Sequence, residues 1–494
     1  MKKSTVIIER ISKTDYSFAK SQRFGIRAVS QSLTFRNPNP FAYSDVITKF
    51  NRRDLTFHIG MLSNVVQYCE DENISYEVND WVYEMPDVTI DDRLEGNYIH
   101  QRYAVEAFFK RRFGIIVVPT RGGKTFIASE ILRIFTMTEK GNALFIVDNT
   151  TLFTQAVDEI KTFFGRYGGV EVGEIKAGSI DFSKRITVAM IQTIQSTLSK
   201  RSDKVRQKQM KAYLKDLRLL CVDEIHDNCS DSKLKIYKIC KNLDFQLCLS
   251  ATPYRSGAYV QNLKLQDWSG DIVYNISEDT LRQRGVLSNY KVFMMMIDHN
   301  SNLTKIKNRD FAGLRTELIY ENDFRNKILL DIIEICNHYK LKTLVLFQSV
   351  EHGKMLQRES GFRFISGETS GEEREVVKKA FLAEDGGVLM ASNIFKKGVT
   401  LPEVQVLINA DDALESANVI QRKGRVLGAT KTKKRSLIID IFDLFEQYFS
   451  THSEARLNTY VDSIGENNVG ILDTTVVSWK QTLDNWIRKW FDGE

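Results

Sequence analysis

Short apolar runs alternate with longer amphipathic stretches from about residue 113 onward. FGIIVVP precedes FIASEILRIF, ALFIVD precedes LFTQAVDEIKTFF, and ITVAMI, LRLLCVDE and FQLCLSA follow in turn. Brief β-branched runs separated by helix-length segments are the pattern of a parallel sheet with helices on both faces. The rhythm restarts at TLVLFQS and continues through FRFIS, GVLMAS, VQVLINA and RSLIIDIF. It predicts an α/β fold with two parallel-sheet domains in tandem, over 93–275 and 321–447, joined by a less regular connector over 276–320. Residues 1–92 mix strand-like segments with one helix at MLSNVVQYCEDE, which predicts a separate small α+β domain. The tail, 448–494, is predicted helical; Trp486 and Trp490 stand four apart on one face, a spacing that favours packing on another domain over base stacking.

Composition narrows the class. A chain of 494 residues exceeds one hydrophobic core, since chains divide beyond about 250–300 residues. With 43% apolar and 27% charged residues it reads as soluble. No run approaches the roughly 18 apolar residues of a membrane span, so no membrane partner is expected. The N-terminus MKKSTVIIER regains charge at Glu9 and Arg10 before an export core forms, so a cytoplasmic location is expected. The six cysteines are scattered, with no Cys-x-x-Cys pair, and read as inert thiols in a reducing compartment rather than a metal or iron–sulfur site. A net charge of +6 permits a nucleic-acid partner without requiring one.

The chemistry starts at VVPTRGGKT, residues 117–125. A buried strand, a glycine turn and a helix in that order place backbone amides and a positive helix end where phosphate can bind. Thr120, Arg121, Gly122 and Gly123 form the loop, Lys124 reaches terminal phosphates, and the Thr125 hydroxyl suits Mg²⁺. The strict pattern wants a glycine where Val118 stands. LRLLCVDEIHD then places Asp223 and Glu224 at the end of an apolar strand: Asp223 to hold Mg²⁺ through water, Glu224 to orient or deprotonate the attacking water. LSATPYR offers Ser250 and Thr252 as relays to that segment. In QRKGRV, Gln421 and Arg425 suit the charge developing on a transferred phosphoryl group.

With GGKT, DEIH, SAT and QxxGR in sequence, the chain resembles the superfamily 2 helicases and translocases, and most of all the UvsW-type phage recombination helicases, relatives of XPB-like and RecG-like motors. The resemblance spans roughly residues 95–445 and implies two RecA-like domains, ATP and Mg²⁺ as cofactors, and DNA as partner, branched or partly single-stranded. It also allows replication or recombination proteins as partners, and a host cytoplasm if the chain is phage-encoded. Within it, IHQRYAVEAFF points to Gln101 as an adenine reader. Gln155, Gln192, Thr193, Ser392 and Thr400 match nucleic-acid-contacting motifs, and Gly398 a nucleotide-contacting one. The family's loop often lacks the leading glycine. Two departures stand out: Arg121 inside the loop, and Gly428 where a final arginine is usual.

The resemblance implies an ATP-dependent DNA helicase or translocase remodelling forks, displacement loops and junctions. An RNA helicase, a restriction-complex motor subunit and a nucleotide-dependent DNA clamp with weak hydrolysis stay open as alternatives. The basic segment SKRSDKVRQKQMKAYLKDLR reads equally as a phosphate-tracking surface and as a solvated helix face. RFGIRAVSQSLTFRNPNPFAYSD and FNRRDLTFHIG interleave Arg with Phe, which suits DNA contact by the N-terminal region and equally an ordinary half-buried sheet.

Overall fold

The computed structural model describes residues 6–10, 15–18, 30–36, 46–254 apart from 82, 200 and 201, then 258–298, 310–392, 401, 403–412, 428–430 and 433–493. The chain divides into two compact units, Met1–Ser277 and Glu278–Glu494.

The first unit opens with a small α+β layer: β1 (Val6–Arg10), β2 (Asp15–Phe18), β3 (Thr34–Arg36), β4 (Val46–Thr48), β5 (Phe50–Asn51), β6 (Thr56–His58), α1 (Leu62–Asp71) and β7 (Tyr76–Asn79). Five of these strands form a mixed sheet in the order β5-β6-β2-β1-β7, while β3 and β4 pair separately. Its core of Val6, Ile8, Phe57, Met61 and Val65 also takes in Leu263 from later in the chain, so this layer shares its apolar face with the following domain.

That domain comprises α2 (Ile99–Arg111), β8 (Phe113–Val117), α3 (Lys124–Thr138), β9 (Asn142–Val147), α4 (Thr150–Phe164), β10 (Val172–Lys176), β11 (Ser179–Ile180), β12 (Ile186–Met190), α5 (Ile191–Thr197), α6 (Lys204–Asp216), β13 (Leu217–Val222), α7 (Asp231–Tyr237), β14 (Phe245–Ser250), α8 (Tyr259–Ser269) and β15 (Ile272–Asn275). The sheet order is β11-β10-β12-β9-β13-β14-β8-β15. Only β11 runs antiparallel, as the return arm of a hairpin. β8, β13 and β14 are apolar almost throughout because helices cover both faces of the sheet. Phe108, Phe109 and Phe135 meet Phe245 with ring centroids 5.8–6.3 Å apart, fixing α2 and α3 on one face.

Contacts joining the small layer to this domain run along α8. Lys49 Nζ pairs with Asp267 at 2.8 Å, Gln266 Nε2 donates to Asn64 Oδ1 at 3.0 Å, and Ser63 Oγ donates to Asp271 at 2.8 Å. Gly60 lies so close that a Cβ there would stand 1.8 Å from Gln266 O. On the other side, the Arg10 guanidinium lies 4.9 Å from the Trp81 ring and 5.3 Å from Tyr83, and Arg112 lies 4.1 Å from Tyr83 and 4.8 Å from Phe245. Cations and rings thus alternate from the first strand to the core of the domain.

The second unit contains α9 (Glu278–Gln283), β16 (Asn289–Ile297), α10 (Phe311–Arg315), α11 (Asp323–His338), β17 (Thr343–Leu346), α12 (Val350–Ser360), β18 (Arg363–Ile365), α13 (Gly371–Ala383), β19 (Val388–Ala391), β20 (Val406–Asn409), β21 (Arg435–Asp443), α14 (Gln447–Ile464), β22 (Val469–Asp473) and α15 (Trp479–Asp492). Its sheet is parallel throughout, in the order β18-β19-β17-β20-β21-β16-β22.

Two expectations are corrected here. The stretch 276–320, read as a connector, contributes β16, which pairs with β21 along nine residues from Asn289 to Ile297. Its run YKVFMMMID lacked a flanking helical segment of the preceding rhythm, which hid it. The tail, read as helical, includes β22 at the sheet edge beside β16. Its tryptophans do pack: Trp486 lies 4.9 Å from Phe293, and Trp490 Nε1 donates to Ser436 O at 2.8 Å. Buried ion pairs pin the later helices: Arg325 bridges both carboxylate oxygens of Asp443 at 2.7 and 3.0 Å, and Arg456 meets Asp440 at 3.2 Å. No helix among the described residues is long and apolar enough to cross a membrane.

Candidate functional site

β8 delivers the chain to Val118, whose amide donates to Ser250 O at 3.1 Å, so the loop starts tied to β14. Gly122 N closes a turn on Pro119 O at 2.9 Å, after which α3 begins at Lys124. Arg121 (φ +72°) and Gly123 (φ +94°) both take left-handed backbone, which costs a non-glycine residue about 1–2 kcal/mol. A Cβ on Gly123 would sit 1.9 Å from Gln101 Nε2. Glycine is therefore what lets α2 lie against the loop. From α2, His100 Nε2 lies 2.8 Å from Gly122 O and Gln101 Nε2 donates to the same oxygen at 3.1 Å. The Gln101 N–H, expected on an adenine, is thus directed at the loop carbonyl. His100 went unnoticed in the sequence; its only signal was its place beside Gln101.

The acidic end of β13 stands next to this loop. Asp223 N extends the strand by donating to Ile146 O at 3.0 Å, and Glu224 then turns to φ +44°, its amide donating to Asp223 Oδ1 at 3.0 Å. Lys124 Nζ lies 3.2 Å from Glu224 Oε1. Burial, and after it the adjacent Glu224 charge, raises the Asp223 carboxyl above the usual carboxylate range, while Lys124 opposes the rise. Asn228 Nδ2 donates to Asp223 O at 2.7 Å, and Lys233 Nζ reaches Asn228 Oδ1 at 2.9 Å, two supports that the sequence did not flag. His226 Nδ1 lies 2.8 Å from Ser250 Oγ, which also accepts from Thr252 N at 3.1 Å. The DEIH and SAT segments are therefore joined through one hydroxyl.

Two groups bear on what fits here. Glu224 Oε2 and Arg121 Nη2 are buried with no hydrogen-bond partner among the described residues. A glycine-floored loop at a helix start, a lysine, two carboxylates and unsatisfied polar atoms make a donor set that fits a nucleotide polyphosphate with Mg²⁺. Thr120 and Thr125 are part-exposed beside it. Arg121 loses basicity through burial, countered by the charge of Glu159 on α4, whose Oε1 accepts from Gln155 Nε2 at 2.6 Å.

Of the expected nucleic-acid contacts, Gln192 and Thr193 line a groove of about 790 Å³ on the first unit, and Gln192 Nε2 donates to Asp148 O at 2.6 Å. Ser392 is only 3% exposed at the end of β19, its amide bonded to Ile365 O, so direct contact with a strand is not what its position offers. Gly398, Thr400, Gln421 and Arg425 lie outside the described residues. Gly428, the departure noted above, forms an antiparallel bridge with Leu287.

Family models match both halves: the type III restriction enzyme res subunit over residues 96–255, and the helicase conserved C-terminal domain over residues 325–429. The chain is 24% identical over 415 residues to the DNA 3'-5' translocase XPB2 of Sulfurisphaera tokodaii, covering 76% of this chain and 88% of that protein. It is 22% identical over 389 residues to the ATP-dependent DNA helicase uvsW of Enterobacteria phage T4, covering 76% and 74%. Among solved structures, S. cerevisiae Dbp5 bound to RNA and ADP BeF3 superposes with a TM-score of 0.55 at 13% identity, over 83% of this chain and 99% of that one.

Proposed function

We propose, from the premise that the chain belongs to the superfamily 2 helicases, that it is an ATP-dependent DNA helicase or translocase that remodels branched DNA. The observation that carries this reading is the meeting of Lys124 with Glu224 at 3.2 Å beside the Gly122–Gly123 turn. It brings a phosphate-binding cation and a candidate general base to one point. The two long curated relatives are by name a DNA translocase and a DNA helicase, which favours DNA over RNA.

In this reading Lys124 and the loop amides hold the terminal phosphates, and Thr125 with Asp223 holds Mg²⁺. ATP with its metal supplies the phosphoryl group whose transfer to water drives the motor. Glu224 Oε2, free of hydrogen bonds among the described residues, accepts the proton of the attacking water. The Ser250 hydroxyl, shared by His226 and Thr252, links the hydrolytic segment to the strand beside it. Gln421 and Arg425 stabilise the developing charge, Gly398 lines the nucleotide site, and Gln155, Gln192, Thr193 and Thr400 contact the strand.

The test is ATPase activity of the full chain on single-stranded, duplex, forked and four-way-junction DNA and on structured RNA at fixed salt. Forked or junction DNA should stimulate turnover most. Stimulation by RNA alone sinks the DNA assignment.

A further inference from the structure

The basic segment that the sequence left undecided forms α6, and α6 is one wall of the groove that Gln192 and Thr193 enter. Its Met210, Tyr213 and Leu214 are buried. Tyr213 stacks on Phe182 at 4.9 Å and 19°, which pins the helix to the chain returning from the β10–β11 hairpin. That hairpin reverses at Gly178, φ +82°. Asp203 caps α6 by accepting from Arg206 N, and Gln207 Nε2 holds the preceding turn through Leu198 O and Ser199 O. The walls are therefore fixed by packing and caps rather than by a ligand.

The lining is chemically one-sided. Thr150, Thr193, Ser196, Ser199, Gln209 and Arg206 contribute hydroxyls, an amide and a cation, and no carboxylate lines it. Thr150 is the first residue of α4 and Arg206 lies in the first turn of α6, so two helix starts border the groove. Arg206 has no ion-pair partner among the described residues, whereas Lys176 on the hairpin is held by Glu174. On the opposite, exposed side of α6, Lys204, Lys208, Lys211 and Lys215 recur at intervals of four, three and four, adding a positive field with no ion-pair partners among the described residues.

We propose that this groove binds the phosphate backbone of single-stranded DNA, with Arg206 and the hairpin residue Lys176 as its cationic contacts. Hydroxyls, amides and cations recognise phosphate and sugar. The aromatic pair Phe182–Tyr213 is engaged in packing, so the site grips the backbone and carries no base preference. The proposal rests on the DNA-motor reading, and extends the strand contact from the two motif residues to a hairpin and helix outside the motifs.

The experiment measures binding of a labelled oligothymidylate to the full-length chain across a salt series. The double substitution Lys176→Gln with Arg206→Gln should lower affinity about tenfold at fixed salt and flatten the log–log salt slope by about 1.4, two contacts at roughly 0.7 each. Arg206→Lys, which keeps the charge, should keep the slope, and all variants should share the wild-type unfolding midpoint. A double variant with wild-type affinity and slope, alongside wild-type binding and DNA-stimulated ATPase, overturns this proposal alone. A wild-type chain that binds no DNA overturns it together with the helicase reading.

Discussion

Lys124 Nζ and Glu224 Oε1 lie 3.2 Å apart, joining the start of α3 to the end of β13. Removing either charge leaves its partner in a part-buried site, so the two substitutions differ in kind. Lys124→Ala should lower DNA-stimulated ATPase by about a hundredfold or more and weaken nucleotide binding. Glu224→Gln should lower turnover as strongly while nucleotide still binds. Phosphate release and equilibrium binding of a fluorescent nucleotide check the pair; wild-type turnover in Glu224→Gln would remove its role as base.

Arg121 shares its electrostatics with Glu159 on the helix that carries Gln155. Arg121→Glu should therefore impair DNA-stimulated ATPase more than Arg121→Ala does. Adding Glu159→Arg should restore part of the loss, read as a double-mutant cycle on turnover.

Gly60 faces a backbone carbonyl of α8 that cannot retreat as a side chain can. Gly60→Ala should cost about 1–3 kcal/mol by overpacking. Differential scanning calorimetry should show a lower unfolding midpoint.

Arg325 and Asp443 are both fully buried. Arg325→Leu strands a carboxylate and should cost about 3–5 kcal/mol, whereas Arg325→Leu with Asp443→Leu should recover much of it. Chemical denaturation measures both.

His352 is buried against Asn326 and near Arg325, and these surroundings, burial first, pull its pKa down to about 3. The unfolded chain takes up this proton near pH 6.5, so the unfolded state gains protons first as pH falls. Stability from this group is complete above about pH 6.5 and declines towards pH 3, by at most about 1.4 kcal/mol per pH unit. His352→Gln, which keeps a donor for Asn326, should show a smaller loss between pH 7 and pH 5 in urea titrations.

Much of this was legible in the chain. The buried strands at 113–117, 217–222 and 343–346 declared themselves because sheets covered on both faces need continuous apolar runs. GGKT and DEIH were readable because phosphate and metal chemistry restricts residue types at fixed spacing. β16 and β22 were not, since a strand entering a sheet from outside the alternating rhythm has no neighbouring helix to frame it. His100, Asn228 and Lys233 act through backbone carbonyls, and a contact to a carbonyl leaves no mark on the residue type at the other end. Gln101 kept its place beside the loop, but nothing in its identity told a ligand contact from a contact to Gly122 O.

The alternation of Arg10, Tyr83, Arg112 and Phe245, together with the seam along α8, has a mechanical meaning. A joint of stacked rings and buried carbonyl contacts is stiff. Tension applied to the small leading sheet reaches the nucleotide-holding sheet with little slack, so a load on one end is felt at the other.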